Sequence, residues 1–455
     1  MTKKPRNNAG NTIACHTHIQ QAAELLDLIL NNSTRPADKH MESYFREHRN
    51  MGVRDRGFVA ETVYGCLRRR RFLEYVAGED ASPQMLVHVY LLATQGWSAR
   101  ALTETGLAQE SANALATRVR TLDKNTLPLD VRTDFPDWLL ERLLTQLNES
   151  ETVALADALN QPATLDLRVN TLKADRNRVA QRLAEEGFPV EPTPYSPLGL
   201  RRRERTPLFN TPSFKEGLFE IQDEGSQLAC LLLEARRREM VVDFCAGAGG
   251  KTLQIGALMA NTGTLYAFDV SQKRLDGLKP RLKRAGLDIV RMITIAHERD
   301  TRVQRLAGKI DRVLVDAPCT GTGTLRRNPD IKWRPVDDAQ GCASAAGGRR
   351  PGAALADINA LQQRILSAAA QMVKPGGRLV YVTCSLLKEE NDDIVNAFLS
   401  QHPHFHSLPA AQILARQHIP EGLASTGEHA LRLYPHRHGT DGFYAMALER
   451  DAAQE

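Results

Sequence analysis

Two cysteines end short apolar runs in the second half of the chain: Cys319 follows Asp316, Ala317 and Pro318, and Cys384 follows Val382 and Thr383. A lone buried cysteine acts as a small inert hydrophobe. Two thiols meeting over one pocket offer more, because a thiolate can add to an electron-poor carbon. Asp316 would bring a carboxylate to the same place. Upstream, Asp243 is followed by Gly247, Gly249, Gly250, Lys251 and Thr252. Glycines there permit close backbone approach, and a helix opening after them presents unpaired N–H groups. A phosphate loop is excluded, because its first glycine would fall at Cys245. Asp269 ends the next apolar run and could accept hydrogen bonds from both hydroxyls of a ribose. A glycine-rich turn with such an acid fits a dinucleotide or S-adenosylmethionine.

These residues need elements to hold them. From 239 onward, apolar strand patterns at 240–245, 264–269, 289–295, 312–316 and 378–383 alternate with helical stretches at 253–260, 273–285 and 361–373. Such alternation predicts a parallel sheet covered on both faces, a doubly wound α/β fold with a last strand at 443–448. Asp243, Asp269, Asp316 and Cys384 then lie at strand carboxyl ends or just beyond. Residues 15–125 read as helices, at 19–30, 54–76, 85–94 and 111–122, with no strand-like alternation. Segment 126–235 mixes a helix opening at Pro136, a strand at 165–170, a helix at 176–186 and a proline-rich loop at 189–197. The expected division is therefore an all-helical domain at 1–125, a small α+β module at 126–235, and a Rossmann-like domain at 236–455. Residues 341–354, rich in Gly and Ala, read as a flexible insertion carrying Arg349 and Arg350.

Segments 243–252, 316–330 and 381–385 together resemble the Nop/Sun (RsmB-like) family of S-adenosylmethionine-dependent RNA cytosine-5 methyltransferases. The resemblance runs from Phe135 onward. Arg168, Val169 and Asn170 resemble its N-terminal signature next to RNA, and the stretch from His438 to Phe443 its C-terminal one. Residues 54–58 and 64–68 resemble, more loosely, the NusB-like domain that bacterial 16S ribosomal RNA methyltransferases of this family carry, here shortened. The resemblance implies that Cys384 adds to cytosine carbon 6, that Cys319 assists product release, and that Asp316 holds the exocyclic amine and ring nitrogen. It implies that Cys245, Ala246, Gly247, Ala248, Gly249, Gly250 and Lys251 line the methionine end of S-adenosyl-L-methionine, with Asp269 on the ribose and Asp316 on a shared floor. Two departures stand out. Ala248 replaces a common proline. Ala296, His297, Glu298 and Arg299 align with the third motif, so its adenine-side aspartate is absent and His297, Glu298 or backbone takes that place.

The implied substrate is small-subunit ribosomal RNA, with 126–235 facing it and the target cytosine flipped out to reach Cys384. A transfer-RNA cytosine-5 methyltransferase has the same machinery. A non-catalytic RNA-binding assembly factor is disfavoured by the presence of Cys319, Cys384, Asp316 and Lys251. A dinucleotide-dependent oxidoreductase lacks any hydride-site constellation.

Composition sets the outer limits. In 455 residues, 42% hydrophobic and 25% charged, wholesale disorder is excluded, and 5% aromatics exclude extended base-stacking platforms. The net charge of +5 is mild. Arginines cluster at 68–71, at 201–203 with Arg205, and at 326–327, a pattern that suits phosphate contacts or a solvated face. The seven cysteines, at 15, 66, 230, 245, 319, 342 and 384, form no Cys-x-x-Cys pair, so neither a structural zinc nor a disulfide framework is expected. His402, His404 and His406 alternate without an acidic or cysteine partner, so no metal is expected there. Glu389 and Glu390 read as a helix-start charge pair, and His436 and His438 as packing residues. A polar N-terminus and the absence of a membrane-length apolar run lead to the expectation of a cytoplasmic, monomeric protein.

Overall fold

The computed structural model describes residues 16–452 except 79, 124–125, 205–206, 335–354, 418, 420–422 and 424–428. The expected insertion at 341–354 therefore lies outside the described residues. The chain divides into two compact units: Met1–Glu141 with Asn328–Pro335, and Arg142–Arg327 with Val336–Glu455.

The first unit is helical. Helices His16–Asn31, Val53–Arg68 and Pro83–Ala93 bury Ile19, Leu26, Val59, Val63, Leu67, Val87 and Val89 against one another. The single helix expected over 54–76 is two, Val53–Arg68 and Arg70–Ala77, broken at Arg69. The cause is distant in sequence. Fully buried Asp134 accepts the Phe72 N–H at 2.9 Å and pairs with Arg69 at 3.2 Å, capping a new N-terminus. Segment 328–334 completes the unit. Asp330 accepts the Ala37 N–H at 3.2 Å, Lys332 Nζ donates to the Arg68 carbonyl at 3.0 Å, and Trp333 Nε1 donates to the Leu67 carbonyl at 2.7 Å. The last two satisfy carbonyls that a helix end leaves open.

The second unit holds two sheets. Strands β1 (Leu165–Val169), β2 (Glu191–Pro192), β3 (Gly199–Arg202) and β4 (Phe219–Ile221) pair antiparallel in the order β2-β3-β1-β4. Helix Arg176–Glu185 buries Val179 and Leu183 in the same core as Leu167, Val169, Leu200 and Phe219.

The larger sheet contains β5 (Met240–Asp243), β6 (Thr264–Asp269), β7 (Val290–Thr294), β8 (Ile310–Asp316), β9 (Val373–Thr383), β10 (Phe405–Leu408), β11 (Ala430–Leu433) and β12 (Phe443–Arg450). Its order is β10-β12-β9-β8-β5-β6-β7, with β11 also on β12. Strands β5 to β9 pair in parallel, and β12 runs antiparallel beside β9. Val242, Val313, Val315 and Leu379 are buried on one face, and Val241, Leu265, Leu314 and Val380 on the other. This is the doubly wound α/β fold expected for 236–455. The chain leaves β5 toward β6 and β7, then returns to lay β8 on its other edge. The switch between β5 and β8 opens a crevice at their carboxyl ends. No helix among the described residues is long and apolar enough to cross a membrane.

Candidate active site

The turn after β5 is shaped by its glycines. Gly247 (φ +55°) and Gly249 (φ +85°) occupy the left-handed region, which other residues enter at a cost. Gly249 is the N-cap of helix Gly250–Leu258, six residues past the end of β5. A Cβ added at Gly250 would meet nothing within 4 Å, and one at Gly247 only the Cys245 carbonyl at 3.9 Å. The space above the turn is therefore open. Ala246 N–H donates to the Phe268 carbonyl at 2.8 Å and Gly247 N–H to Asp269 at 2.8 Å, tying the turn to the end of β6. Asp269 also accepts the Ser271 N–H at 2.7 Å. Beneath the turn, Asp243 accepts from Thr252 Oγ1 at 2.6 Å, while its other oxygen is buried without a partner. Burial first, then the Asp316 charge, push its carboxyl up to about 7, with the Thr252 bond opposing.

Arg168 of β1 and Asn170, the residue just past its end, reach this region. Arg168 donates to the Gly250 carbonyl at 2.6 Å, and Asn170 to the carbonyls of Gly217 at 3.0 Å and Ala285 at 2.9 Å. This signature binds the small sheet to the glycine-rich turn and to the helix that follows β6.

The cysteines meet as expected. Cys319 Sγ and Cys384 Sγ lie 3.3 Å apart, both partly exposed, on loops leaving the adjacent parallel strands β8 and β9. Asp316, at the end of β8, accepts from Lys251 Nζ at 2.6 Å. Burial pulls the Lys251 ammonium down, but Asp316 and the nearby Cys384 outweigh it, so its pKa stands above the ordinary value. A cation thus stands beside both the Asp316 carboxylate and Cys384. Burial pushes the other described thiols up, Cys230 to about 12 and Cys66 and Cys245 in the same direction, so they stay protonated.

The C-terminal signature supports the Cys319 loop from behind. Gly442 N–H donates to the Gly323 carbonyl at 2.8 Å, and Gly323 N–H to the Cys384 carbonyl at 2.9 Å. Asp441 holds both Arg326 and Arg327, at 2.9 and 2.6 Å.

That pairing corrects the reading of the arginine clusters. Arg327 also pairs with buried Asp223 at 3.0 Å, Arg201 grips buried Asp166 through two bonds of 2.7 and 2.8 Å, and Arg71 is held by Asp137 at 2.9 Å and by Asp130. Asp166, Asp223 and Asp441, buried as they are, require cationic partners, so Arg201, Arg326 and Arg327 brace the fold, and Arg71 is engaged within the helical unit. Of the 201–203 cluster only Arg203 is largely exposed, at 84%, and Arg205 lies outside the described residues. Glu298 is engaged by Arg364 at 2.9 Å, and His297 Nδ1 accepts the Arg299 N–H at 3.1 Å. No group of His, Cys, Asp and Glu among the described residues could hold a metal ion.

A second correction concerns Glu390, which is fully buried between the two cysteine loops. Its neighbour Glu389 is half-buried, 3.4 Å from Arg142. The dipeptide's position after Cys384 gave no sign of this burial, which packing from Gln362 and Tyr381 creates.

Comparisons with known proteins agree with this geometry. The family described as 16S rRNA methyltransferase RsmB/F matches residues 230–449, and the RsmF/B-like ferredoxin-like domain matches residues 135–208. The probable ribosomal RNA small subunit methyltransferase B of Synechocystis sp. is 31% identical, over 94% of this chain and 99% of its own length. The 28S rRNA (cytosine-C(5))-methyltransferase of Mus musculus is 31% identical over 77% of this chain and 42% of its own. The crystal structure of PH0851 is 27% identical with a TM-score of 0.75, covering 96% of this chain and 99% of that one. With residues 135–208 and 230–449 matched and the Synechocystis relative aligned over 94% of the chain, the chain belongs to the 16S rRNA methyltransferase RsmB/F family and is an RNA methyltransferase.

Proposed function

We propose that this chain methylates carbon 5 of a cytosine in 16S ribosomal RNA, with S-adenosyl-L-methionine as methyl donor. The observation that carries the reading is the pair of thiols 3.3 Å apart beside Asp316. The relatives' names support the base and the RNA: one acts on cytosine C5 of 28S rRNA, and another is a small-subunit methyltransferase.

The residues present fit the donor. The open space over Gly247 and Gly250 admits a ligand against the backbone, and the 246–251 turn would hold its methionine end. Asp269, with lone pairs beyond its bonds to Gly247 and Ser271, would take the ribose. When bound, S-adenosyl-L-methionine supplies an electrophilic methyl group.

Carbon 5 of cytosine is a weak nucleophile. Addition of the Cys384 thiolate to carbon 6 moves the ring electrons toward carbon 5 and makes it one. Asp316, steadied by Lys251, would hold the exocyclic amine and ring nitrogen while N3 takes up a proton from water as the thiolate adds. Once carbon 5 carries its methyl group, loss of its proton expels Cys384 by elimination. Cys319, in contact with Cys384, assists that release. The small sheet, tied to the turn by Arg168 and Asn170, would present RNA to the site.

The test pairs two variants. Cys384→Ala is expected to lose methylation by at least about 10⁴-fold while still binding S-adenosyl-L-methionine. Cys319→Ala is expected to accumulate an RNA–protein adduct that survives a denaturing gel. Undiminished 5-methylcytosine in 16S rRNA from the Cys384→Ala protein would overturn the assignment.

A further inference from the structure

We propose that Glu390 is a positioning residue that holds Cys319 and Cys384 at their working separation. The proposal rests on the reading of those cysteines as the reacting groups. Glu390 is 0% exposed, and a carboxyl buried so deeply must be hydrogen-bonded. Its donors lie on the two cysteine loops. One oxygen accepts the Thr320 N–H at 2.8 Å and Gln362 Nε2 at 3.1 Å. The other accepts the Thr320 hydroxyl at 2.5 Å and the Ser385 hydroxyl. Thr320 directly follows Cys319, and Ser385 directly follows Cys384. A single carboxyl therefore grips the residue next to each thiol.

The grip is itself fixed. Tyr381 of β9 donates its hydroxyl to the Glu390 carbonyl at 2.8 Å, and Asn391 donates to the Ser385 carbonyl at 3.0 Å. Gln362, besides meeting Glu390, donates to the Pro318 carbonyl at 2.9 Å, just before Cys319. Glu390 touches neither sulfur, so it acts through Thr320 and Ser385.

Charge is not what this role needs. An amide of the same shape keeps an acceptor for the Thr320 N–H, and the two hydroxyls can rotate to accept from its NH₂. Positioning therefore predicts that Glu390→Gln works and Glu390→Ala does not, whereas proton transfer predicts that both fail.

The full chain and both variants are compared for turnover on 16S rRNA, for affinity toward S-adenosyl-L-methionine, and for the rate at which diamide closes a Cys319–Cys384 disulfide without RNA. Glu390→Ala is expected to lower kcat on the order of 10²-fold and to slow disulfide closure, with affinity for S-adenosyl-L-methionine unchanged. Glu390→Gln is expected to recover most of both rates. Wild-type turnover and closure in Glu390→Ala, or equal impairment in Glu390→Gln, would overturn the proposal. If Glu390→Ala does not fold, Ser385→Ala removes one side of the grip, and its wild-type turnover and closure would have the same force. Full activity in Cys384→Ala would instead sink the nucleophile assignment, leaving disulfide closure to decide on Glu390.

Discussion

At the end of β5 the backbone is held by what is missing. Glycines take left-handed angles, the space above them is open, and the buried carboxyl beneath, Asp243, has one bonded oxygen and one bare. Past the ends of β8 and β9 the reverse holds. Gly323 and Gly442 pack so closely that a Cβ on Gly323 would sit 2.1 Å from the Gly442 carbonyl oxygen, and Glu390 is bonded through both oxygens. The first arrangement leaves a cradle for a ligand that brings its own atoms. The second fixes two sulfurs whose spacing no ligand sets. On the proposed reading, neighbouring strand ends divide binding from positioning, and the variants below separate the two.

The largest effect is expected from the bare carboxyl. Burial holds Asp243 near 7 in the fold, against an ordinary value near 4 when unfolded. The folded state then binds the extra proton between those values, so this group's contribution is fully present below about pH 4. It is lost as pH rises toward 7 and stays lost above. Asp243→Asn should remove that loss and be the more stable protein at pH 8, by on the order of 4 kcal/mol. Urea unfolding at pH 5 and pH 8 measures the difference, and parallel pH dependences would show that Asp243 is ionised in the fold. Next comes Gly323→Ala, where backbone meets backbone and no side chain can yield. Turnover should fall about 10²-fold with affinity for S-adenosyl-L-methionine retained; loss of both would erase the division. The smallest effect is expected at Gly250→Ala, which fills open space. Its folding stability should stay within about 1 kcal/mol, and its affinity for S-adenosyl-L-methionine should fall about tenfold, as titration calorimetry can read.

Legibility followed the same line. That the turn at 243–252, Asp269 and both cysteines come together is legible because each lies at or just after a strand end, and the topology brings those ends side by side. The arginine clusters were misread because their carboxylates are far away: Arg201 pairs with Asp166, and Arg327 with Asp223 and Asp441. A run of arginines looks the same whether its partners are phosphates or distant aspartates. Glu390 was missed for a related reason, since tertiary packing alone buries it. The break at Arg69 depends on Asp134, and β10 and β11 are four residues each, too short for alternation to register.

Segment 328–334 has a consequence for how the chain is made. The helical unit closes on Asp330, Lys332 and Trp333, which satisfy Ala37, Arg68 and Leu67. A ribosome delivers residues 16–141 first, yet this unit cannot be finished until the whole of 142–327 has emerged behind it. Folding as units in order of synthesis, the usual course for a chain of several domains, is therefore interrupted. The first unit to appear waits, with helix ends open, for a strip that leaves the tunnel just after Cys319.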